Sequence, residues 1–151
     1  YSGIAFTSER LLLGGSIPRI DRLSSRLSMR QKPFSEPSAT IVWSTLTELG
    51  ISRQTVLWNA LQLHPFKPGQ PWSNRTPTDE ELALGEPALH ILTTAFPKAK
   101  LVAVGKKAGL LLENMGIEPA ATVRHPANGG ATKFKAGMAE LITSNRKRTN
   151  R

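Results

Sequence analysis

The chain has 151 residues, of which 39% are hydrophobic, so it is long enough to form one domain with a buried core. It contains no cysteine, which excludes disulfides, thiolate zinc sites and cysteine-ligated iron–sulfur clusters. The formal net charge of +9 favours a polyanionic partner. No apolar run approaches the ~20 residues of a membrane span and no signal peptide is visible, so we expect a cytoplasmic protein without membrane contact.

The two ends of the chain lead to separate expectations. Because the chain begins at Tyr1 rather than methionine, we expect further residues upstream. At the other end, residues 144–151 are rich in arginine and lysine, and we predict a basic tail after a single domain that spans residues 1–143. As a disordered end this tail would merely aid solubility, and the rest of the chain is still basic.

Two helices are predicted in the first third of the chain. Residues 9–13 are typical of a short helical turn that ends at Gly14, and residues 24–35 of an exposed basic loop. Over residues 38–49 apolar side chains recur at helical spacing. Gly50 stands where a helix C-cap belongs, so this segment is predicted to be a helix.

Residues 55–60 form a short apolar run that is typical of a buried parallel strand, with Asn59 at its carboxyl end. An asparagine in that place needs hydrogen-bonding partners, and its paired donor and acceptor can read a nucleobase edge. Capping of the following loop is an equally simple role. That loop, over residues 63–72, carries three prolines and a glycine, which favour irregular structure and are typical of a functional or disordered segment.

The second half of the chain is predicted to alternate helices with strands. Thr78 and Glu81 match a capping box at the start of a helix that runs to about Phe96, broken or bent at Gly85 and Pro87. Short strands are predicted over residues 100–104 and 120–124, with a helix between them and a last helix over residues 133–142. Such alternation implies a parallel sheet covered by helices, so the predicted fold class is α/β.

His125 lies on a turn-rich loop that follows the last predicted strand. Pro126 biases His125 towards extended geometry, while Gly129 and Gly130 allow the backbone to approach another molecule closely. Ligands of parallel sheets bind beyond the carboxyl ends of the strands, and this topology brings His125 and Asn59 towards one site. Taken alone, the loop is equally compatible with a plain strand-to-helix connection that carries a surface histidine.

Other kinds of site find little support in the sequence. Residues 104–109 lack the third glycine of a dinucleotide fingerprint and the ending of a P-loop, so we interpret them as close strand–helix packing. The three histidines, His64, His90 and His125, have no nearby carboxylates to complete a metal site. No serine sits on a nucleophile elbow. We predict no metal site and no cofactor.

Several motifs in this order resemble the uracil-DNA glycosylase superfamily, most closely its bacterial and archaeal branches with an Asn-Arg-Thr-Pro-Thr segment. The matching segments are residues 56–60, the proline-rich loop, and residues 74–78, 101–105 and 124–126. The similarity runs from about Gly3 to Leu141. Each motif is weak alone, and their order makes the resemblance specific.

The resemblance implies a three-layer α/β/α sandwich with a short parallel sheet, which flips a damaged base out of DNA and cleaves its N-glycosidic bond. By motif position, Phe6 is similar to the aromatic that stacks on the flipped base. Asn59 is similar to the amide that reads the uracil edge, and His125 to the histidine that hydrogen-bonds the leaving base. The implied DNA contacts come from basic and polar side chains and a glycine backbone: Arg75, Arg124, Asn128, Gly129, Gly130 and Lys133.

The chain also departs from the family pattern. The family's first motif, which handles the attacking water, and its first strand would lie upstream of Gly3, so either the chain is part of a longer protein or it cannot act in the usual way. Gly85 stands near where iron–sulfur branches carry a cysteine. After His-Pro, Ala127 stands in place of the family's usual serine, and no bulky apolar residue that could act as a wedge follows at once. We therefore expect Asn128 to have a role different from that of the family's wedge residue.

We therefore predict a glycosylase that removes uracil or a related deaminated base from DNA. The alternative is a non-catalytic DNA-binding module on the same fold, and a third class is an unrelated α/β protein that binds a phosphate ligand. DNA is the predicted partner, without membrane, metal or iron–sulfur cluster, and the sequence makes no prediction of the oligomeric state.

Overall fold

A computed structural model describes residues 5–18, 32–71 and 73–149. Most of the predicted loop over residues 24–35 lies outside these ranges, as do Gly3 and Trp72. In chain order the elements are α1 (Glu9–Leu13), α2 (Pro37–Glu48), a 3-10 turn (Ser52–Gln54), α3 (Asp79–Ala83), α4 (Glu86–Ala95), β1 (Val102–Val104), α5 (Lys106–Asn114), β2 (Ala121–Val123) and α6 (Ala131–Thr149). The fold is α/β, and none of the helices in the described ranges is long and apolar enough to cross a membrane.

The chain divides into two compact units. The terminal unit comprises Tyr1–Trp58 and Arg124–Arg151, and the central unit comprises Asn59–Val123. The terminal unit therefore holds α1, α2 and α6, while the central unit holds the sheet with α3, α4 and α5.

The core of the terminal unit is formed by apolar residues of its three helices. Its larger buried side chains are Leu12, Val42, Trp43, Leu46, Phe134 and Met138. The predicted helix over residues 38–49 is confirmed as α2, which begins at Pro37 and is followed by Gly50 with a φ of 72°. The last helix, α6, is longer than predicted and continues through Thr149, into the segment predicted as a basic tail.

The central unit is organised around a two-stranded parallel sheet. Strand β1 pairs with β2 in the register Val102 to Ala121, Ala103 to Thr122 and Val104 to Val123. Its core consists of buried residues from both helical and strand segments: Leu82, Leu89, Ala103, Leu111 and Leu112. The strands predicted over residues 100–104 and 120–124 are confirmed as β1 and β2. Ala103 of β1 is buried with Leu111 and Leu112 of α5, as expected for an apolar run in a covered parallel sheet.

The turns of the central unit largely follow the sequence pattern. The predicted capping box is present, because the Thr78 hydroxyl accepts from the Glu81 N–H at 3.2 Å and the Glu81 carboxylate accepts from the Thr78 N–H at 2.9 Å. The predicted break separates α3 from α4 at Leu84 and Gly85. Gly105, with a φ of 87°, donates its N–H to the Val123 carbonyl at 2.8 Å, which fits close strand–helix packing better than a phosphate site.

The prediction of a buried parallel strand over residues 55–60 is wrong. Within the described ranges the sheet contains only β1 and β2, and Val56 and Trp58 are 50% and 42% exposed. An apolar run becomes a buried strand only where a neighbouring strand takes up its backbone hydrogen bonds. The part of the chain that the structure describes holds no such neighbour, so Asn59 follows an irregular segment.

Candidate functional site

Phe6 and His125 lie side by side in the terminal unit, although they come from opposite ends of the sequence. Their ring centroids are 5.4 Å apart and the ring planes are inclined by 36°. This distance is typical of an attractive aromatic pair. Both side chains are only partly buried, so the pair is accessible from solvent. The structure therefore brings together two of the three residues that the sequence predicted to bind a base.

The loop after β2 fixes the state of the His125 ring. The backbone N–H of Ala127 donates to His125 Nδ1 at 3.1 Å. Because a backbone N–H can only donate, Nδ1 is an acceptor and the proton of the neutral imidazole lies on Nε2. Burial lowers the pKa of His125 below its ordinary value of 6.5, and the positive charge of Arg124 lowers it further. His125 is thus a neutral ring with an Nε2–H donor at neutral pH.

The two glycines of this loop have different roles. The N–H of Gly130 donates to the Ala127 carbonyl at 3.1 Å, and a Cβ at Gly130 would overlap the His125 carbonyl oxygen. Gly130 is buried, so its close approach is to the loop itself. Gly129 is exposed and has a φ of 74°, and an added Cβ there would have nothing within 4 Å. Its neighbour Asn128 also has a positive φ, of 52°. Gly129 is therefore the glycine with room beside it.

Phe6 occupies an unusual backbone conformation, with a φ of 46°. This left-handed region is uncommon for residues other than glycine. Two side chains bond to the backbone of this turn. The Thr7 hydroxyl donates to the Ala5 carbonyl at 2.9 Å, and Trp43 Nε1 on α2 donates to the Phe6 carbonyl at 3.0 Å. The sequence interpretation missed Trp43, for which the only signal was a tryptophan on the apolar side of a predicted helix.

Asn59 belongs to the central unit, where it is exposed. Its backbone carbonyl accepts from Gln62 Nε2 at 2.6 Å, whereas its carboxamide makes no hydrogen bond to any residue in the described ranges. The described residues therefore do not show the alternative role, in which the Asn59 side chain caps the following loop.

Gly85, near the position where iron–sulfur branches carry a cysteine, packs closely against the residue after Asn59. A Cβ at Gly85 would overlap the Ala60 carbonyl, so position 85 has no room for a side chain.

Arg75, a predicted DNA contact, forms an ion pair within the central unit. Its guanidinium makes two hydrogen bonds to the Glu81 carboxylate, at 2.7 and 2.5 Å, and its Nε donates to the Phe66 carbonyl at 2.9 Å. These bonds to Arg75, together with the Thr78 N–H, lower the pKa of Glu81 to about 2. Arg75 thus links the proline-rich loop to the capping box, and its contact with DNA stays a prediction.

The other predicted DNA contacts lie on or near the His125 loop in the terminal unit. Arg124, Asn128 and Lys133 are all exposed. Lys135, two positions further along α6, instead approaches the Glu48 carboxylate of α2 at 3.4 Å. Arg124, which precedes His125, and Lys133, in the first turn of α6, are exposed cations that can attract an anion, and their contact with DNA also stays a prediction.

The chain matches the model of one protein family, the uracil DNA glycosylase superfamily, over residues 5–146. No curated protein and no solved structure matches the chain significantly. The family match covers nearly the whole sequence and includes Phe6, Asn59 and His125.

Proposed function

The chain belongs to the uracil-DNA glycosylase superfamily, and on that basis we propose that it excises uracil or a related deaminated base from DNA. The observation that carries the proposal is the contact of the Phe6 ring with His125, a neutral imidazole with an Nε2–H donor. An aromatic surface beside a hydrogen-bond donor is what a flipped base requires. The family's three-layer α/β/α sandwich is part of the same proposal.

His125 acts on the leaving base. Cleavage of an N-glycosidic bond develops negative charge on the departing base and positive charge on the sugar. A donor aimed at a base oxygen therefore stabilises the transition state more than the ground state. Because the His125 ring is neutral, its Nε2–H does so without adding a second positive charge beside the sugar.

Phe6 supplies the surface on which the flipped base stacks. Extrusion of a base from the duplex costs a few kcal/mol. Stacking on an aromatic side chain is worth roughly 1–3 kcal/mol per base, so a single phenyl ring offsets much of that cost. The partial exposure of Phe6 leaves part of its ring available to a base.

Asn59 reads the edge of the base. A carboxamide offers one acceptor and a donor group, which match the adjacent N–H and carbonyl of uracil. Its carboxamide is exposed and makes no hydrogen bond within the described ranges, so its full bonding capacity is available to a ligand. This assignment rests on the motif position and on that availability.

Basic residues of the terminal unit provide the DNA contacts. Contacts to phosphates fix the register of a protein on DNA and carry little sequence information. Arg124 and Lys133 supply positive charge, while Asn128 and the backbone of Gly129 supply hydrogen bonds. The net charge of +9 supports the same partner.

A single-turnover assay on duplex DNA with one uracil tests the proposal. We expect the protein, tested together with any residues that precede Tyr1 in its reading frame, to release uracil. His125→Ala should slow release by about 10²–10³-fold, as for the loss of one preorganised donor. His90→Ala is the matched control, since His90 is exposed on α4, and should react at the wild-type rate. Equal melting temperatures would show that both variants fold.

Two results would contradict the proposal. The first is a His125→Ala variant as fast as the wild type. The second is a folded wild-type protein that releases neither uracil nor any other deaminated base while it still binds DNA in a salt-sensitive way. That second result would favour the DNA-binding module.

A further inference from the structure

Trp43 connects helix α2 to the turn that carries Phe6. Its side chain is buried, with only 7% of the residue exposed, and its Nε1–H donates to the Phe6 carbonyl at 3.0 Å. A buried indole N–H normally bonds to some partner. Here the partner is the main chain of the very residue whose ring contacts His125.

The Phe6 turn needs such support because its conformation is unfavourable. A φ of 46° lies in a region that phenylalanine rarely adopts, and such residues persist only where their surroundings hold them. The Thr7 hydroxyl holds the start of the turn through the Ala5 carbonyl at 2.9 Å. Both Ala5 and Thr7 are buried, so this bond is shielded from water. Trp43 holds the next carbonyl along.

Were Phe6 to relax to an ordinary negative φ, its carbonyl and its side chain would both move. The ring would then leave its place 5.4 Å from the His125 ring. The hydrogen bond from Trp43 therefore acts on ring position through the backbone, without any contact between Trp43 and a base.

We propose that Trp43 is a positioning residue, whose Nε1–H bond to the Phe6 carbonyl keeps the Phe6 ring against His125 and ready to stack on a flipped base. This inference rests on the proposed function of the Phe6–His125 pair. It assigns to α2 a role beyond packing.

Trp43→Phe is the direct test, because it removes the N–H and keeps an aromatic ring in the core. Misplacement of a reacting group by about 1 Å can cost about 10²-fold in rate, so we expect single-turnover release to fall by about ten- to a hundredfold. The KM for DNA should change little, since the phosphate contacts are untouched.

A second readout does not depend on activity. Burial lowers the pKa of His125, and the Phe6 ring covers part of that histidine. In Trp43→Phe, an NMR titration of His125 should show its pKa rise towards 6.5, with Arg124 still opposing the rise.

Val42→Ala is the matched control on the same helix. Val42 is 2% exposed, so its truncation loosens the same core but leaves the Trp43 hydrogen bond in place. We expect a lower melting temperature with an unchanged His125 titration and an unchanged rate of release. Should Trp43→Phe fail to fold, a benzothienylalanine at position 43 keeps the shape of the indole and replaces its N–H with sulfur, which cannot donate a hydrogen bond.

The outcomes separate the positioning role from the proposed function. A folded Trp43→Phe or benzothienylalanine variant with wild-type release and wild-type His125 titration overturns the positioning role. A wild-type protein that releases no base overturns the proposed function instead, and the NMR titration of His125 still decides whether Trp43 positions Phe6.

Discussion

The residues proposed to act on the base are held in different ways in the two units. In the terminal unit, His125 accepts a bond from the Ala127 N–H and Phe6 accepts one from Trp43. In the central unit, the Asn59 carboxamide has no partner among the described residues. On the roles proposed for these residues, we infer that the groups acting on the leaving base are held in place beforehand, whereas the amide proposed to read the base edge is ordered when the base arrives.

In contrast to the side chains, the backbones near His125 and Asn59 are packed in a similar way, each against a glycine. Gly130 packs against the His125 carbonyl and Gly85 packs against the Ala60 carbonyl, and neither position has room for a Cβ. The main chain is therefore held closely beside both His125 and Asn59. At these two residues the difference lies in the hydrogen bonds of the side chains.

Gly130→Ala tests the preorganised loop and should have the largest effect among the changes that leave the His125 side chain in place. The added Cβ would overlap the His125 carbonyl and lie 3.0 Å from the Ala127 carbonyl, so the loop must shift. We expect uracil release to fall by about 10²-fold, measured under single-turnover conditions.

The control for this change is Gly15→Asn. Gly15 has a φ of 66° with nothing within 4 Å of an added Cβ, and asparagine tolerates that conformation. It should release uracil at the wild-type rate. A Gly130→Ala variant that also does so would mean that the loop geometry does not limit catalysis.

Asn59→Ala tests the side chain that we propose is ordered by the base. Because the side chain is exposed and makes no bond within the described ranges, the melting temperature should stay unchanged. Release should slow by about tenfold or more, the loss of one or two hydrogen bonds to the base. A clear drop in melting temperature would show that Asn59 has a structural role and that the contrast between the units is wrong.

Lys133→Ala tests the electrostatic contribution of the terminal unit. Loss of one phosphate contact should weaken DNA binding modestly and reduce the slope of log affinity against log salt by about one. Fluorescence anisotropy between about 50 mM and about 200 mM salt measures this slope. Lys135→Ala is the control on the same helix, since Lys135 faces Glu48, and an equal slope change in both variants would refute a specific contact.

Glu81→Gln tests the ion pair of the central unit and should have the smallest effect at neutral pH. The pKa of Glu81 is lowered from 4.5 to about 2, so its ionised form stabilises the fold above pH 4.5 and that contribution is lost as the pH falls to about 2. Wild type should exceed Glu81→Gln in urea midpoint above pH 4.5, with the difference vanishing near pH 2. The control is Glu80→Gln, at the exposed neighbouring position, and its difference from the wild type should not show this pH dependence.

Local signals in the sequence predicted much of the fold. The capping box of Thr78 and Glu81, Gly50 after α2 and the apolar runs of β1 and β2 all specify structure through neighbours in the chain. Residues 55–60 have the same apolar character, yet they form no strand, because a strand also requires a partner that lies elsewhere in the sequence.

The candidate site was predictable as residue types and not as contacts. His125 was identified from its loop and Phe6 from a motif, but no spacing rule reveals that their rings meet. The bond from Trp43 to the Phe6 carbonyl is equally hidden, because it joins a helix to a distant turn. The ion pair of Arg75 with Glu81 left a weak signal, since both residues stand in recognised motifs only a few positions apart.

The pH dependence of single-turnover uracil release, between about pH 5 and about pH 8, tests the central claim most directly. His125 is neutral above its lowered pKa, and protonation would place a hydrogen on the Nδ1 that now accepts from Ala127. The rate should therefore stay level as the pH rises through 6.5 and fall only on the acid side of the His125 pKa. A rate that instead falls as the pH rises through the His125 pKa would show that the imidazolium is the donor, and would contradict a neutral His125.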